Sequence, residues 1–356
     1  MSRSLVALCL IGLATVASAA GVDKPILRLR QPNTAGPKTD LRIDGSTTVA
    51  PITECMKLYY EQLYPKTTVV IPDVHGWPGS SAGITGLATD TPVYPTIDVD
   101  DGLPVVTEIA QSSRTLKASD LALMPNGPNL KAHEIAKDAL SVIVHPSNPI
   151  ANLSITNNGT GLGDVAKIYK GDISSWFAVG GSCPGDQIKV YARNTNSGTL
   201  FSFIDLYATP AGYNPGLVPN GPNVGFVPTT IYVEDAREIV EAVAGDQCAI
   251  GFAGLGNVAE GAAAGFNVKM VPLQKGEVGG FPVVAPTKAT ARSGQFPAAR
   301  GLYYITVDEP GTPDTAGRFM DFVYTRFGQR IVEETGFVSI YDVYDNGEDI
   351  TCPTNG

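Results

Sequence analysis

The segment Leu41-Arg42-Ile43-Asp44-Gly45-Ser46-Thr47-Thr48-Val49-Ala50-Pro51-Ile52 passes from a strand through a turn of small and hydroxyl residues into a helix. Leu41-Arg42-Ile43 alternates apolar and polar positions. After the turn, Ile52, Cys55, Met56, Tyr59 and Leu63 recur at helical spacing until Pro65 stops the run. The same order returns twice. Val69-Val70-Ile71 leads into Gly79-Ser80-Ser81-Ala82-Gly83 and a short helix through Ile84 and Leu87. Ile188-Lys189-Val190-Tyr191 leads through Arg193 to Ser197-Gly198-Thr199 and a helix from Leu200 that Pro210 ends. Repeated strand–turn–helix units predict an α/β fold with mixed, mostly parallel sheets flanked by helices.

Further out, the pattern divides the chain. Ala139 to Val144 reads as one apolar strand closed by His145-Pro146, and from there the sequence changes character until about residue 261. Cys248 to Ala253, Val268 to Leu273 and Tyr303 to Val307 read as further strands, and Thr315 to Thr335 as a C-terminal helical region. The expected organisation is a first lobe from residues 41–138 and 262–356, with a second lobe, residues 139–261, inserted between two crossovers. Residues 1–19 read as an export signal, with Arg3, the apolar run Leu5 to Val16, and Ala17-Ser18-Ala19 at the cleavage point. Residues 20–40, with three prolines and no periodicity, read as a leader segment. A periplasmic location follows, or one beyond it.

The 356 residues are 43% hydrophobic and 17% charged, which excludes a disordered chain, a coiled coil and a polytopic membrane protein. Twenty-five basic against 35 acidic residues give a net charge of −10, which argues against nucleic acid as a partner and, by the same logic, against a small anion. The turns point the other way. Gly45-Ser46-Thr47-Thr48, Gly79-Ser80-Ser81-Ala82-Gly83 and Ser197-Gly198-Thr199 each open a helix at a strand's carboxyl end. There, backbone N–H groups and the helix dipole favour negative charge, and hydroxyls add donors. Any one of them is also an ordinary helix cap. Arg114, after Ser112-Ser113, and Arg193 stand at two strand ends, where a planar guanidinium suits a tetrahedral oxyanion.

Taken in order, Asp44 to Pro51, Gly79 to Gly83, Ser112-Ser113-Arg114, Arg193 and Ser197-Gly198-Thr199 resemble the substrate-binding proteins of phosphate ABC transporters. The likeness runs from about residue 41 to 340 and includes Gly171-Asp172-Ile173-Ser174-Ser175-Trp176 and Gly336-Phe337-Val338. It implies a two-lobed periplasmic-binding-protein fold closing over a dehydrated phosphate, a monomer without cofactors, and delivery to an inner-membrane permease. Carried over by position, Thr47, Thr48, Ser80, Ser113, Arg114, Arg193, Ser197, Gly198 and Thr199 form the expected ligand set. Some relatives hold an aspartate where this chain has Ser113. The acceptor of a ligand proton is therefore open among Asp44, Asp73, Asp98, Asp100 and Asp101.

With Cys9 inside the signal, Cys55, Cys183, Cys248 and Cys352 remain, and three pairings are open. A bond across the cleft would lock it, so Cys55–Cys352 and Cys183–Cys248 are favoured. Two other functions compete with transport. Gly79-Ser80-Ser81-Ala82-Gly83 fits the G-x-S-x-G elbow of serine hydrolases, but His145 is the last of only three histidines, whereas that fold needs one late in the chain. A phosphatase would need a base or metal beside its nucleophile, and His75, His133 and His145 have no metal-ligand spacing. The other alternative is a binding protein for another oxyanion, or one with a scavenging, sensing or adhesion role and no transporter.

Overall fold

The computed structural model describes residues 39–72, 76–90, 106–124, 129–156, 161–208, 225–276, 281–308, 315–343 and 350–353. The expected signal of residues 1–19, nearly all of the expected leader, Asp73, His75, Asp98, Asp100 and Asp101 lie outside them.

The chain runs β1 (Thr39–Gly45), α1 (Ala50–Leu63), β2 (Thr67–Val70), α2 (Ser80–Thr89), β3 (Ile109–Ser112), α3 (Ala118–Leu121) and β4 (Asn129–Ala139). It continues through β5 (Ser141–Val144), β6 (Leu153–Ser154), α4 (Asp164–Lys170), β7 (Lys189–Arg193), α5 (Gly198–Phe203), β8 (Ile231–Val233), α6 (Ala236–Gly245), β9 (Ala249–Ala253) and α7 (Leu255–Ala263). The last part is β10 (Lys269–Met270), β11 (Leu273–Gln274), β12 (Val283–Val284), α8 (Lys288–Arg292), β13 (Ala299–Asp308), α9 (Thr315–Val323) and α10 (Arg326–Glu334).

Two five-stranded sheets organise these elements, ordered β2-β1-β3-β13-β4 and β10-β5-β9-β7-β8, with a small third sheet β12-β11-β6. Both large sheets are mixed in the same way. In the first, β1 pairs in parallel with β2 and β3, whereas β13 runs antiparallel to β3 and β4. In the second, β7 pairs in parallel with β8 and β9, whereas β5 runs antiparallel to β9 and β10. The parallel strands β1 and β7 place the turns Gly45–Thr48 and Asn194–Ser197 at their carboxyl ends, where open α/β sheets bind ligands.

Leu41 and Ile43 face a core with Ile52, Met56, Phe319, Phe322 and Ile331, which packs α1, α9 and α10 onto one side of the first sheet. On its other side Ile84 and Leu87 of α2 meet Ala110 and Ile305. The second lobe has its own core, in which Phe203 stacks on Phe252 with ring centroids 4.1 Å apart and Trp176 is fully buried. Each lobe also carries one disulfide, Cys55–Cys352 in the first and Cys183–Cys248 in the second, the pairing favoured on sequence.

Several sequence boundaries shift. β1 begins at Thr39, because Thr39 and Asp40, read on sequence as the end of a leader, pair with Thr67 and Thr68. The apolar run 139–144 is not one strand: β4 ends at Ala139, the chain crosses at Leu140, and β5 starts in the other sheet. The return to the first lobe comes later than residue 262. β10 pairs with β5, and Val271, Leu273, Ala291, Phe296 and Ala298 belong to the second core. The run Val268–Leu273 splits into β10 and β11 around Pro272, and the C-terminal helical region splits where the Thr325 hydroxyl caps α10. The two crossovers lie side by side: Ala139 pairs with Ala299, and the Leu140 N–H donates to Ala298 O at 3.1 Å. Among the described residues no helix is long and apolar enough to cross a membrane.

Candidate functional site

The three hydroxyl turns meet between the lobes. The first is held from below by Gln111: Ser46 N–H donates to Gln111 O at 2.9 Å, and the Gln111 amide donates to Ser46 O at 2.6 Å. The second begins at Gly79, whose φ of 91° lies in the region that favours glycine, and whose N–H donates to Gly45 O at 2.9 Å. The third, from the second lobe, starts α5 with Ser197 as its cap, accepting from Leu200 N–H at 3.3 Å. Ser81 N–H reaches Asn196 O at 3.3 Å and joins the second turn to the third.

Four buried hydroxyls form one chain across the lobes. Thr48 Oγ1 lies 2.7 Å from Thr199 Oγ1, Thr199 Oγ1 donates to Ser113 Oγ at 3.0 Å, and Ser113 Oγ lies 3.4 Å from Ser80 Oγ. Ser113 N–H donates to Ser80 Oγ at 3.2 Å. Gly198 sits against this chain so closely that a Cβ there would lie 2.7 Å from Ser80 Cβ and 2.9 Å from Ser113 Oγ. Thr47 is buried beside the chain and meets a guanidinium instead.

That guanidinium belongs to Arg193, whose side chain is 1% exposed. Its Nη2 donates to Thr47 Oγ1 at 2.9 Å across the lobes and also to Glu234 O, and its Nε is buried without a hydrogen-bond partner. Among the described residues no carboxylate comes within 4.0 Å of it, and Asp235 and Glu238 act only from farther away. Burial lowers its pKa to about 10, so it stays charged at neutral pH. A buried cation without a contacting counter-charge is costly. Arg193 therefore supplies an unspent positive charge beside a set of neutral donors, which is the chemistry of an oxyanion site.

Arg114 has different partners. Asp120, six residues on, grips it with two bonds of 2.6 and 3.1 Å, and its remaining donor contacts go to Thr115 O and Ser81 Oγ. Arg114 thus forms an ion pair beside the hydroxyl chain, held by the carboxylate that the short helix α3 presents, and its Nε, like that of Arg193, is buried without a hydrogen-bond partner. Ser197 caps α5 with its hydroxyl. The sequence reading missed Arg300, at the start of β13, whose Nη1 donates to Thr199 Oγ1 at 3.1 Å and to Ser113 O at 3.2 Å while Asp138 holds its other edge. A lone arginine in the otherwise uncharged run Phe296 to Val307 was the available signal.

At the rim, Lys117 Nζ of the first lobe sits 3.0 Å from the Phe201 ring centroid of the second, with the Arg114 guanidinium 5.5 Å from the same ring. Burial lowers the Lys117 pKa to about 8. Elsewhere between the lobes, Glu260 of α7 is raised to about 7, first by burial and then by the charges of Glu54 on α1 and Asp235.

Asp44, one candidate proton acceptor, is buried against Arg42 at 2.6 Å and Thr107 at 3.0 Å, and the hydrogen bonds among the site hydroxyls do not include it. His133 bonds Thr306 and His145 bonds Ser147, while Ser81 Oγ accepts from Arg114. Among the described residues no three His, Cys, Asp or Glu side chains converge as metal ligands. Trp176, which closes the Gly171–Trp176 segment, is fully buried with its indole N–H on Cys248 O at 2.9 Å, and its neighbour Phe177 is 84% exposed.

A family profile described as the PBP superfamily domain matches residues 31–326. The chain is 29% identical over 298 residues to the phosphate-binding protein PstS of Borreliella burgdorferi, covering 84% of this chain and 89% of that protein. It is 23% identical over 350 residues to PstS of Pseudomonas aeruginosa, covering 96% and 95%. Among solved structures, it resembles a Clostridium perfringens protein assigned to phosphate ABC transporters as their substrate-binding protein and solved with bound phosphate. That likeness has a TM-score of 0.63 and 22% identity, and covers 85% of this chain and all of the other. An ABC-type phosphate transport receptor from Vibrio cholerae gives a TM-score of 0.58 at 24% identity, covering 84% and 99%. The profile takes in both sheets and all three hydroxyl turns, and the chain belongs to the PBP superfamily.

Proposed function

We propose that this protein is an exported solute-binding protein that captures inorganic phosphate between its lobes and delivers it to an ABC-transporter permease. Arg193 carries the reading: it is a fully buried cation with an unpartnered Nε and no contacting carboxylate among the described residues, facing Thr47 from the opposite lobe. An anion with several acceptor oxygens would complete it. Thr47, Thr48, Ser80, Ser113 and Thr199 are the hydroxyls assigned to that anion, with backbone N–H groups at the starts of α2 and α5. The names of the PstS relatives favour phosphate over other oxyanions.

Capture, not catalysis, is the role assigned to the site. The serine that the elbow motif would use, Ser81, contacts Arg114 and so has a cation where a nucleophile needs a base. The negative surface does not oppose anion capture, since buried donors act at short range in a low dielectric and net charge works mainly on approach rate. Residues 1–19 are assigned as the cleaved signal that sends the chain to the periplasm, where the permease is its partner.

The test is calorimetry of the purified mature protein with phosphate, arsenate and sulfate. Saturable one-to-one phosphate binding at micromolar concentration or below is expected. Absence of phosphate binding below millimolar would overturn the proposal.

A further inference from the structure

Arg300 lies directly opposite Asp138 in the register of β13 and β4, one residue inside the point where both crossovers leave the first sheet. Both side chains are almost fully buried. One edge of the guanidinium is anchored: Nε and Nη2 donate to Asp138 Oδ2 at 3.0 and 2.9 Å, and Asp138 Oδ1 accepts from Leu255 N–H at 2.8 Å at the start of α7. The other edge reaches the site, where Nη1 donates to Thr199 Oγ1 at 3.1 Å and Ser113 O at 3.2 Å. The pair thus touches β4, β13, the end of β3, α5 and α7, and it carries no net charge.

A guanidinium can only donate hydrogen bonds. Thr199 Oγ1 must therefore accept from Arg300, and its one hydrogen is left for another oxygen. In the structure that hydrogen goes to Ser113 Oγ at 3.0 Å, with Thr48 Oγ1 2.7 Å from Thr199 Oγ1. We propose that Arg300, anchored by Asp138, is a positioning residue that fixes the Thr199 hydroxyl as a donor toward the bound anion. The inference rests on the oxyanion reading of the site and adds to it a division of labour: Arg193 supplies charge, and the neutral Arg300–Asp138 pair supplies orientation.

Removing the pair as a unit separates orientation from charge. Asp138→Asn with Arg300→Met leaves the net charge unchanged and orphans no buried ion. Phosphate affinity is measured by calorimetry for the full mature chain, this double variant, Thr199→Val, and all three substitutions together. The double variant should weaken binding about tenfold when Thr199 is present and less than twofold when it is valine, because the effect passes through the Thr199 hydroxyl. The same loss in both backgrounds would show a general structural role and overturn the proposal, as would an unchanged affinity in the double variant. If that variant does not fold, Arg300→Lys, which keeps the charge opposite Asp138 and loses the fork, enters the same comparison with the same outcomes. Wild-type protein that binds no phosphate would overturn the functional reading and this inference with it. Wild-type binding with equal losses in both backgrounds would overturn this inference alone.

Discussion

Gly198→Ala puts the interlobe geometry to a quantitative test. Gly198 opens α5 in the second lobe, and a methyl there would lie 2.7 Å from Ser80 Cβ and 2.9 Å from Ser113 Oγ, both in the first lobe. Normal contact needs roughly 3.4 Å or more, so the facing surfaces must part by most of an ångström. Overpacking of this kind costs about 1–3 kcal/mol, which converts to a loss of phosphate affinity of about 5- to 150-fold. The clash is between lobes, and neither lobe's hydrophobic core contains Gly198 or Ser80. Stability of the unliganded protein should therefore not fall, and replacing a helical glycine by alanine adds up to ~1 kcal/mol in its favour. Calorimetry and urea unfolding without ligand read the two effects separately. Gly245→Ala is the control, since nothing lies within 4 Å of a Cβ at that position. Affinity within twofold of wild type for Gly198→Ala, or loss of stability without loss of affinity, would refute the reasoning.

Other perturbations have equally definite outcomes. Phe201→Leu removes the ring under Lys117, a cation–π contact worth about 0.5–2 kcal/mol, and should speed phosphate release about 2- to 30-fold in stopped-flow measurements. Glu260 binds its proton more tightly in the folded chain, with a pKa of about 7 against 4.5, so the stability associated with it is complete below pH 4.5 and is lost as pH rises through 7. Glu260→Gln should accordingly raise stability at pH 8, by at most ~3 kcal/mol, and change it little at pH 4.5; equal effects at both pH values in urea unfolding would contradict this. Because each disulfide lies within one lobe, reduction should cost about 2–5 kcal/mol of stability per bond yet leave phosphate affinity within about twofold while the chain stays folded.

What was legible in the sequence was local. Leu41-Arg42-Ile43 with the Ser46-Thr47-Thr48 turn, and Tyr191 to Arg193 with Ser197-Gly198-Thr199, carry strand, turn and helix within short windows, and these are the segments that bring Thr47, Thr48, Arg193 and Thr199 together. What depends on partners far along the chain was hidden. Arg300 gains its meaning from Asp138, 162 residues away, and no spacing announces the register that makes them opposite. β4 went unread because Lys131, His133, Glu134 and Lys137 break up its apolar positions; it is stabilised by pairing with β13 rather than by a continuous buried face. Val268 to Leu273 looks apolar in either lobe, so the late return of the chain could not be placed from composition. Arg114 was legible as an arginine at a strand end, but its ion pair with Asp120 on α3 was not read from the sequence.

The charge of Arg193, which no carboxylate contacts among the described residues, is assigned to hold a phosphate between the lobes. The most direct measurement is a calorimetric phosphate titration of wild type and Arg193→Met at low and high salt. Tight one-to-one binding by the wild type that barely responds to salt, with a loss of about 100-fold or more in the variant, is the result expected of a buried, charge-dependent site. A variant that binds phosphate as tightly as wild type, or a wild-type affinity that collapses with salt, would contradict it.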